Sequence, residues 1–193
     1  MSNNIYKANS LTIDLQMKHA GEEDIKLQFD NLDIAFHISY DGDEFISTML
    51  NVLKRFEFHG WDKFALYDYL RGEKVVFTFI NRASMIEIDI ETHQHEFEEL
   101  GANTRRWKIS MPYATYRQSV INTALYALRR YGINGFSDNW AVIGGTYFLG
   151  ALISILTNNK CMGYNDQTEE YHSDIKAELQ TLLGALQNAN QQT

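Results

Sequence analysis

Met85–His95 reads MIEIDIETHQH. From Glu87 onward the run alternates without a break. Glu87, Asp89, Glu91, His93 and His95 fall on one side of an extended chain, and Ile86, Ile88, Ile90, Thr92 and Gln94 fall on the other. A period of two predicts a strand. Apolar residues on one side and charged residues on the other predict an antiparallel sheet with one face buried and one solvated. The stretch is also the densest set of chemically capable side chains in the chain, three carboxylates followed by two imidazoles.

Its neighbours extend the same sheet. Lys74–Ile80 has the β-branched and aromatic bias of a strand, and Asn81–Ser84 turns it into the isoleucine strand. After a turn over Glu98–Thr104, Trp107, Ile109 and Met111 alternate with Arg106, Lys108 and Ser110, and Pro112 stops the run. These strands form a meander. A second group precedes it. Leu11, Ile13, Leu15 and Met17 alternate with polar residues, and Ile25, Leu27 and Phe29 continue after a polar turn at Ala20–Asp24. The register then flips at Asp30-Asn31, which marks a hairpin turn in preference to a bulge, so that Leu32, Ile34, Phe36, Ile38 and Tyr40 become the apolar side.

Between the groups, Asp43 is placed to cap a helix carrying Phe45, Ile46, Met49, Leu50, Leu53 and Phe56. Trp61–Leu70 reads as a second short helix, stopped by Gly72. Thr115 and Gln118 form a capping box for the next helix, with Val120, Ile121, Ala124, Leu125 and Leu128 as its apolar stripe, Gly132 at its end and a turn at Asn134-Gly135. Trp140–Thr157 holds no charge in 18 residues, yet its glycines, hydroxyls and missing basic anchor favour a buried core helix over a membrane span. Asn158–Tyr171 reads as a polar loop, and Ser173 as the cap of a last helix with Ile175, Leu179, Leu182 and Leu186 on a narrow seam. The expectation is a single α+β domain over residues 1–193, helical in its C-terminal part from residue 115. Its antiparallel sheet has about six strands in two three-stranded groups, with helices covering one face. A sheet split in two is the alternative.

Composition narrows the function classes. The 193 residues are 45% hydrophobic and 13% aromatic, enough for a large core, which excludes a disordered chain. The formal charge is −8, and the densest basic clusters, Lys54-Arg55, Arg105-Arg106 and Arg129-Arg130, are only pairs, which argues against direct nucleic-acid binding and for a basic partner. Cys161 is the single cysteine, so no internal disulfide can form. MSNNIYKANS lacks the basic and apolar regions of a secretory signal, which makes the cytoplasm the expected location.

The site candidates follow from the alternation. Glu87, Asp89 and Glu91 are an ordered acidic row suited to a basic protein partner. His93-x-His95 has the geometry of a metal pair, with His37 as a candidate third ligand. Solvated-face and cross-strand pairing with Arg106 and Lys108 explain the same residues without a metal, so no metal or other cofactor is assigned. Phe36–Tyr40 matches the short His-apolar-Ser pattern of two-histidine phosphoesterases, but no second copy exists and the family is not assigned. The leading expectation is a small acidic protein-binding module, an inhibitor of the toxin-immunity or phage anti-defence type. The alternative is a metal-dependent hydrolase or nuclease built on the His-x-His strand. Trp140–Thr157 and the Ile175–Leu186 helix are the surfaces through which the chain could form a homo-oligomer.

Overall fold

The computed structural model describes residues 5–19, 22–39, 45–69, 71–94, 104–139, 145–158, 162–165 and 170–189. Its order is β1 (Tyr6–Lys7), β2 (Thr12–His19), β3 (Glu22–Phe29), β4 (Leu32–Ser39), α1 (Phe45–His59), β5 (Trp61–Asp68), β6 (Glu73–Arg82), β7 (Met85–Gln94), β8 (Arg105–Pro112), α2 (Tyr113–Asn139), α3 (Gly145–Thr157), β9 (Met162–Asn165), β10 (Glu170–Ser173) and α4 (Ile175–Ala189). The isoleucine strand is β7. It pairs antiparallel with β6 on one side and β8 on the other, and Ile86, Ile88 and Ile90 are buried. The hairpin at Asp30-Asn31 is present, with Phe29 opposite Leu32 and Asp30 at φ 47°. Asp30 also ties down the β1–β2 connection: the Ser10 hydroxyl and the Asn9 and Ser10 amides donate to its carboxylate and hold its pKa below the ordinary value.

The α+β class holds, but the sheet differs from the expected one. It has eight strands in the order β1-β8-β7-β6-β5-β4-β3-β2, and a separate hairpin pairs β9 with β10. It is also mixed, because β4–β5 and β1–β8 run parallel. The two meanders are present, and the strand that joins them is Trp61–Asp68, the stretch expected to be helical. Phe64 and Leu66 pair across to Phe77 and Val75 on the core side, and the ladder to β6 satisfies a backbone that a short helix would leave half unpaired. Gly60 at φ 67° ends α1 and lets the chain turn directly into β5. Parallel neighbours need a crossover, and α1 supplies it.

Further corrections concern the C-terminal part. α2 begins at Tyr113, so Thr115 lies inside it and is not its cap. Gly132 does interrupt the helix (φ 67°), but Asn134-Gly135 continues a helical segment where a turn was expected. The charge-free run contributes only the 13-residue α3, with Phe148, Ala151, Leu152 and Ile155 buried; Trp140–Gly144 lies outside the described residues. Among the described residues no helix is long and apolar enough to cross a membrane. The expected polar loop holds the β9–β10 hairpin. Asp174, and not Ser173, caps α4, accepting from the Lys176 and Ala177 amides at 3.0 and 3.2 Å. The α4 stripe is divided: Leu182 is buried against the helices, while Ile175, Leu179 and Leu183 are exposed.

The helices share one side of the sheet. α1 packs on β5, α2 packs on β2, β7 and β8, and α3 and α4 form a second layer over them. Asp43, the expected cap of α1, lies outside the described residues. The carboxylate found at that helix start comes from elsewhere in the chain: fully buried Glu23 on β3 accepts from the Phe45 amide at 3.3 Å. A carboxylate there meets the positive end of the helix dipole.

The join between the meanders is narrow. Ser39 and Asp68 are the single register pair of β4 and β5, and both are buried. The Ser39 hydroxyl donates to Asp68 Oδ1 at 2.8 Å, the Arg71 amide donates to the same oxygen at 3.1 Å, and the Tyr69 amide reaches the Ser39 carbonyl at 3.5 Å. Behind this point the core is filled with rings. Phe36, Phe45 and Phe77 form a triangle with centroids 5.6 to 6.0 Å apart, and Phe64 stacks on Phe77 at 4.9 Å. The chain of rings continues through Phe79 to Tyr116 at 5.8 Å. Such offset and edge-on pairs add to the burial of large apolar surfaces.

Two stability measurements check this packing. Asp68→Ala removes the carboxylate acceptor of a buried serine hydroxyl and should cost about 1–3 kcal/mol in denaturant unfolding, and Ser39→Ala/Asp68→Ala should lose less than the sum of the two single replacements. Additive losses would show that the bond does not couple the strands. Tyr116 is the second case: burial, then the nearby Tyr113 and Asp62 charges, push its pKa well above the ordinary value. A raised folded-state pKa gives stabilisation that is complete below the unfolded tyrosine value, about pH 10, and is lost as pH climbs above it. Tyr116→Phe should therefore flatten the alkaline decline in stability, and an unchanged slope would contradict the assignment.

Candidate functional site

The sheet face away from the helices carries charged side chains on both halves of the sheet. Strand alternation sets its contents. β2 contributes Thr12, Asp14 and Gln16; β3 contributes Glu22, Asp24, Lys26 and Gln28; β4 contributes Asp33, Ala35 and His37. In register, Asp14 stands beside Lys26 and Ala35, and Gln16 stands beside Asp24 and His37. On the other half, Glu87, Asp89, Glu91 and His93 of β7 lie between Val76 and Thr78 of β6 and Arg106 and Lys108 of β8.

The predicted acidic row is therefore in place, and it is neutralised within the chain. Arg106 forms hydrogen-bonded ion pairs with Asp89 and reaches Glu91 at 2.9 Å; Lys108 lies 3.9 Å from Asp89; Arg82 lies 3.2 Å from Glu87; and His93 lies 3.4 Å from Glu91. The hydrogen bond to Asp89, followed by the charges of Asp89 and Glu91, raises the Arg106 pKa. The cross-strand arrangement is the ordinary partner geometry of a sheet.

The other half carries the imbalance. Lys26 turns to Asp33 at 2.7 Å, leaving Asp14 with a 3.2 Å bond from the Gln16 amide and no ion-pair partner among the described residues. Asp24 holds the buried His37 ring through Nδ1 at 2.6 Å. Among the described side chains, four carboxylates (Asp14, Glu22, Asp24 and Asp33) face Lys26 and Arg71, and Arg71 reaches in from the β5–β6 turn with its Nε 3.7 Å from Asp68. Ala35 is the small residue among these long side chains. Beside it lies a groove of about 460 Å³ lined in part by Asp14, Asp24, Lys26 and His37.

The proposed metal set does not assemble around His37. That residue is on β4, three strands from β7, a lateral distance of roughly 14 Å at ~4.8 Å per strand. His95 and Cys161 lie outside the described residues. Among the described residues no three His, Cys, Asp or Glu side chains gather into a group that could hold a metal ion.

Sequence reading missed the buried Glu23 and Asp68, the Asp24–His37 pair and the groove over Ala35. The first two had a signal. Glu23 shares the parity of Ile25, Leu27 and Phe29, and Asp68 that of Phe64 and Leu66, so each carboxylate sits on the core side of its strand. The groove had none, because it depends on which strands become neighbours.

The neutralisation of the β7 row can be tested by removing its main cation. Arg106→Gln should raise the affinity of the protein for a tetralysine probe several-fold at low salt, with the gain fading as salt screens the exposed row. A probe affinity that ignores Arg106→Gln would mean that the row is shielded in some other way.

Comparison with protein-family models, with curated proteins and with solved structures returns no match, so the functional reading rests on the geometry above.

Proposed function

We propose that the protein is a non-enzymatic binding module that engages a basic partner protein through the uncovered face of its sheet and acts as an inhibitor of it. Toxin neutralisation and blockade of a defence protein are the types of action that match a small acidic chain. The observation that carries this reading is the charged sheet face, left clear of all four helices, with its acidic excess on β2–β4. Side chains on paired strands are already ordered, so contact through them loses less conformational entropy than contact through loops. The Glu87, Asp89 and Glu91 row contributes pre-paired charges that can exchange partners, and the β2–β4 half contributes the net attraction. The alternative, a metal-dependent hydrolase using His93, His95 and nearby carboxylates, loses His37 as a ligand, because His37 lies three strands away.

The reading is tested by capturing partners from the native host with the full chain and measuring association. A stoichiometric protein of high isoelectric point is expected, with an association rate that falls steeply between low and high salt, because opposite charge acts chiefly on encounter. A partner that associates at a rate indifferent to salt, or metal-dependent turnover of a phosphoester by the purified chain, would contradict it.

A further inference from the structure

We infer that the wedge between β4 and β5 is a strand-acceptor slot, which takes up an extended segment of the partner by main-chain hydrogen bonding. This deepens the reading of a basic protein partner and rests on it.

Unpaired main chain is the first argument. β4 is laddered to β3, and β5 to β6, along their whole lengths. Between β4 and β5 there is one register pair, Ser39 and Asp68, at the C-terminal ends of both strands. From there back to Leu32 and Trp61 the two strands separate. The Tyr69 amide donates to the Ser39 carbonyl, so the main-chain groups of Ser39 point toward β5. Those of Asp33, Ala35 and His37 share that direction by strand parity. On the other side, the Gly60 carbonyl accepts from Asn81 of β6, so the groups of Trp61, Lys63 and Ala65 point toward β4. Among the described residues, none of these six residues finds a main-chain partner across the wedge. The Lys63 amide is covered locally, by the Asp62 carboxylate at 2.8 Å. Rows of unpaired donors and acceptors are a template for another strand. Asp33, Ala35, Trp61 and Lys63 are exposed, so the template is open to solvent.

The shape of the wedge selects the occupant. The edge of a folded sheet cannot pass between two strands of another chain, so the wedge admits a single extended segment with free main chain on both sides. Asp33 to His37 spans roughly 13 Å at ~3.3 Å per residue, room for about four or five residues. Successive side chains of that segment point to opposite faces. Those on the helix side meet Phe36 and the partly buried Phe64, whose rings contact Phe77 at 5.6 and 4.9 Å and, among the described residues, not each other. Those on the open side lie between Asp33 and the indole of Trp61, which is 61% exposed. An aromatic face with a carboxylate opposite attracts a cation. The segment that fits therefore alternates apolar and cationic residues, as a basic partner would supply.

The test uses the full chain, ¹⁵N-labelled, with a capped hexapeptide of alternating arginine and valine as the probe. In the free protein the amides of Asp33, Ala35 and Ala65 should exchange with solvent far faster than those of Ile34 and Phe36, which point to β3. The hexapeptide should slow all three. Its counterpart with every second amide N-methylated has the same charge and should bind about three- to tenfold more weakly, the scale of one net hydrogen bond. Ala35→Pro removes a donor that the fold does not use and should weaken the parent peptide by a similar factor, whereas Ala35→Ser keeps the amide and should bind as the wild type does. The exchange and N-methyl measurements use the wild type, so they decide the matter even where the proline variant unfolds. Equal protection of all five amides in the free chain, or equal affinity for the two peptides, would overturn the assignment. So would self-association of the free chain that protects Asp33, Ala35 and Ala65, since a second copy would then occupy the wedge. The captured partner separates this inference from the reading beneath it. If the complex leaves the three amides at their free exchange rates while association stays salt-dependent, the slot assignment fails and the binding-module reading stands. If association ignores salt, the reading itself fails.

Discussion

A buried hydrogen bond from the Ser39 hydroxyl to the Asp68 carboxylate lies at the narrow seam where two sheets become one. The meander β2–β3–β4 and the meander β6–β7–β8 each hold together through long antiparallel ladders, whereas β4 and β5 meet at one residue pair. A carboxylate buried to that extent needs polar partners, and Asp68 Oδ1 collects the serine hydroxyl and the Arg71 amide, with the Arg71 Nε 3.7 Å from Oδ2. Away from that point, Phe36, Phe45, Phe64 and Phe77 fill the space between the diverging halves. The polar bond fixes where the halves touch, and the rings set how far apart they lie.

That join decides what the open face can do. With the halves held in one frame, a balanced grid on β6–β8 and an acidic excess on β2–β4 form neighbouring parts of one surface. On the proposed reading, a basic partner approaching it would meet net attraction on one side and charge pairs that can be exchanged on the other. Were the halves independent, each would be a three-stranded sheet with a small patch, and the cost of ordering them would fall on binding.

How much of this was legible depends on the range of the interaction. The strands of both meanders, the hairpin at Asp30-Asn31 and the pairing of Arg106 and Lys108 with the β7 acids follow from alternation over neighbouring segments, which the sequence displays. Trp61–Asp68 misled because its apolar residues fit a helical spacing about as well as a strand. Its neighbour β6 and the satisfied ladder decided the matter, and those are tertiary facts. The parallel contact of Ser39 and Asp68 spans 29 residues and involves one pair, too little to leave a pattern. The parity of Glu23 and Asp68 was visible, and an acid on the apolar side of a strand marks a buried partner. For Glu23 the partner is the start of α1; for Asp68 it is the seam. The groove over Ala35 could not be read at all, since Asp14, Asp24 and His37 come together only when three strands are in register.

The claim on which the account rests is that Ser39 and Asp68 hold the two halves as one cooperative sheet. Native-state hydrogen exchange on the wild type and on Asp68→Ala tests it most directly, read at the amides of Leu27 and Phe36 in one half and Phe77 and Ile88 in the other. The account predicts one common opening free energy for all four in the wild type, and separation into two values in Asp68→Ala. Two distinct values in the wild type, or a common value that Asp68→Ala leaves common, would show that the seam is not what unites the face.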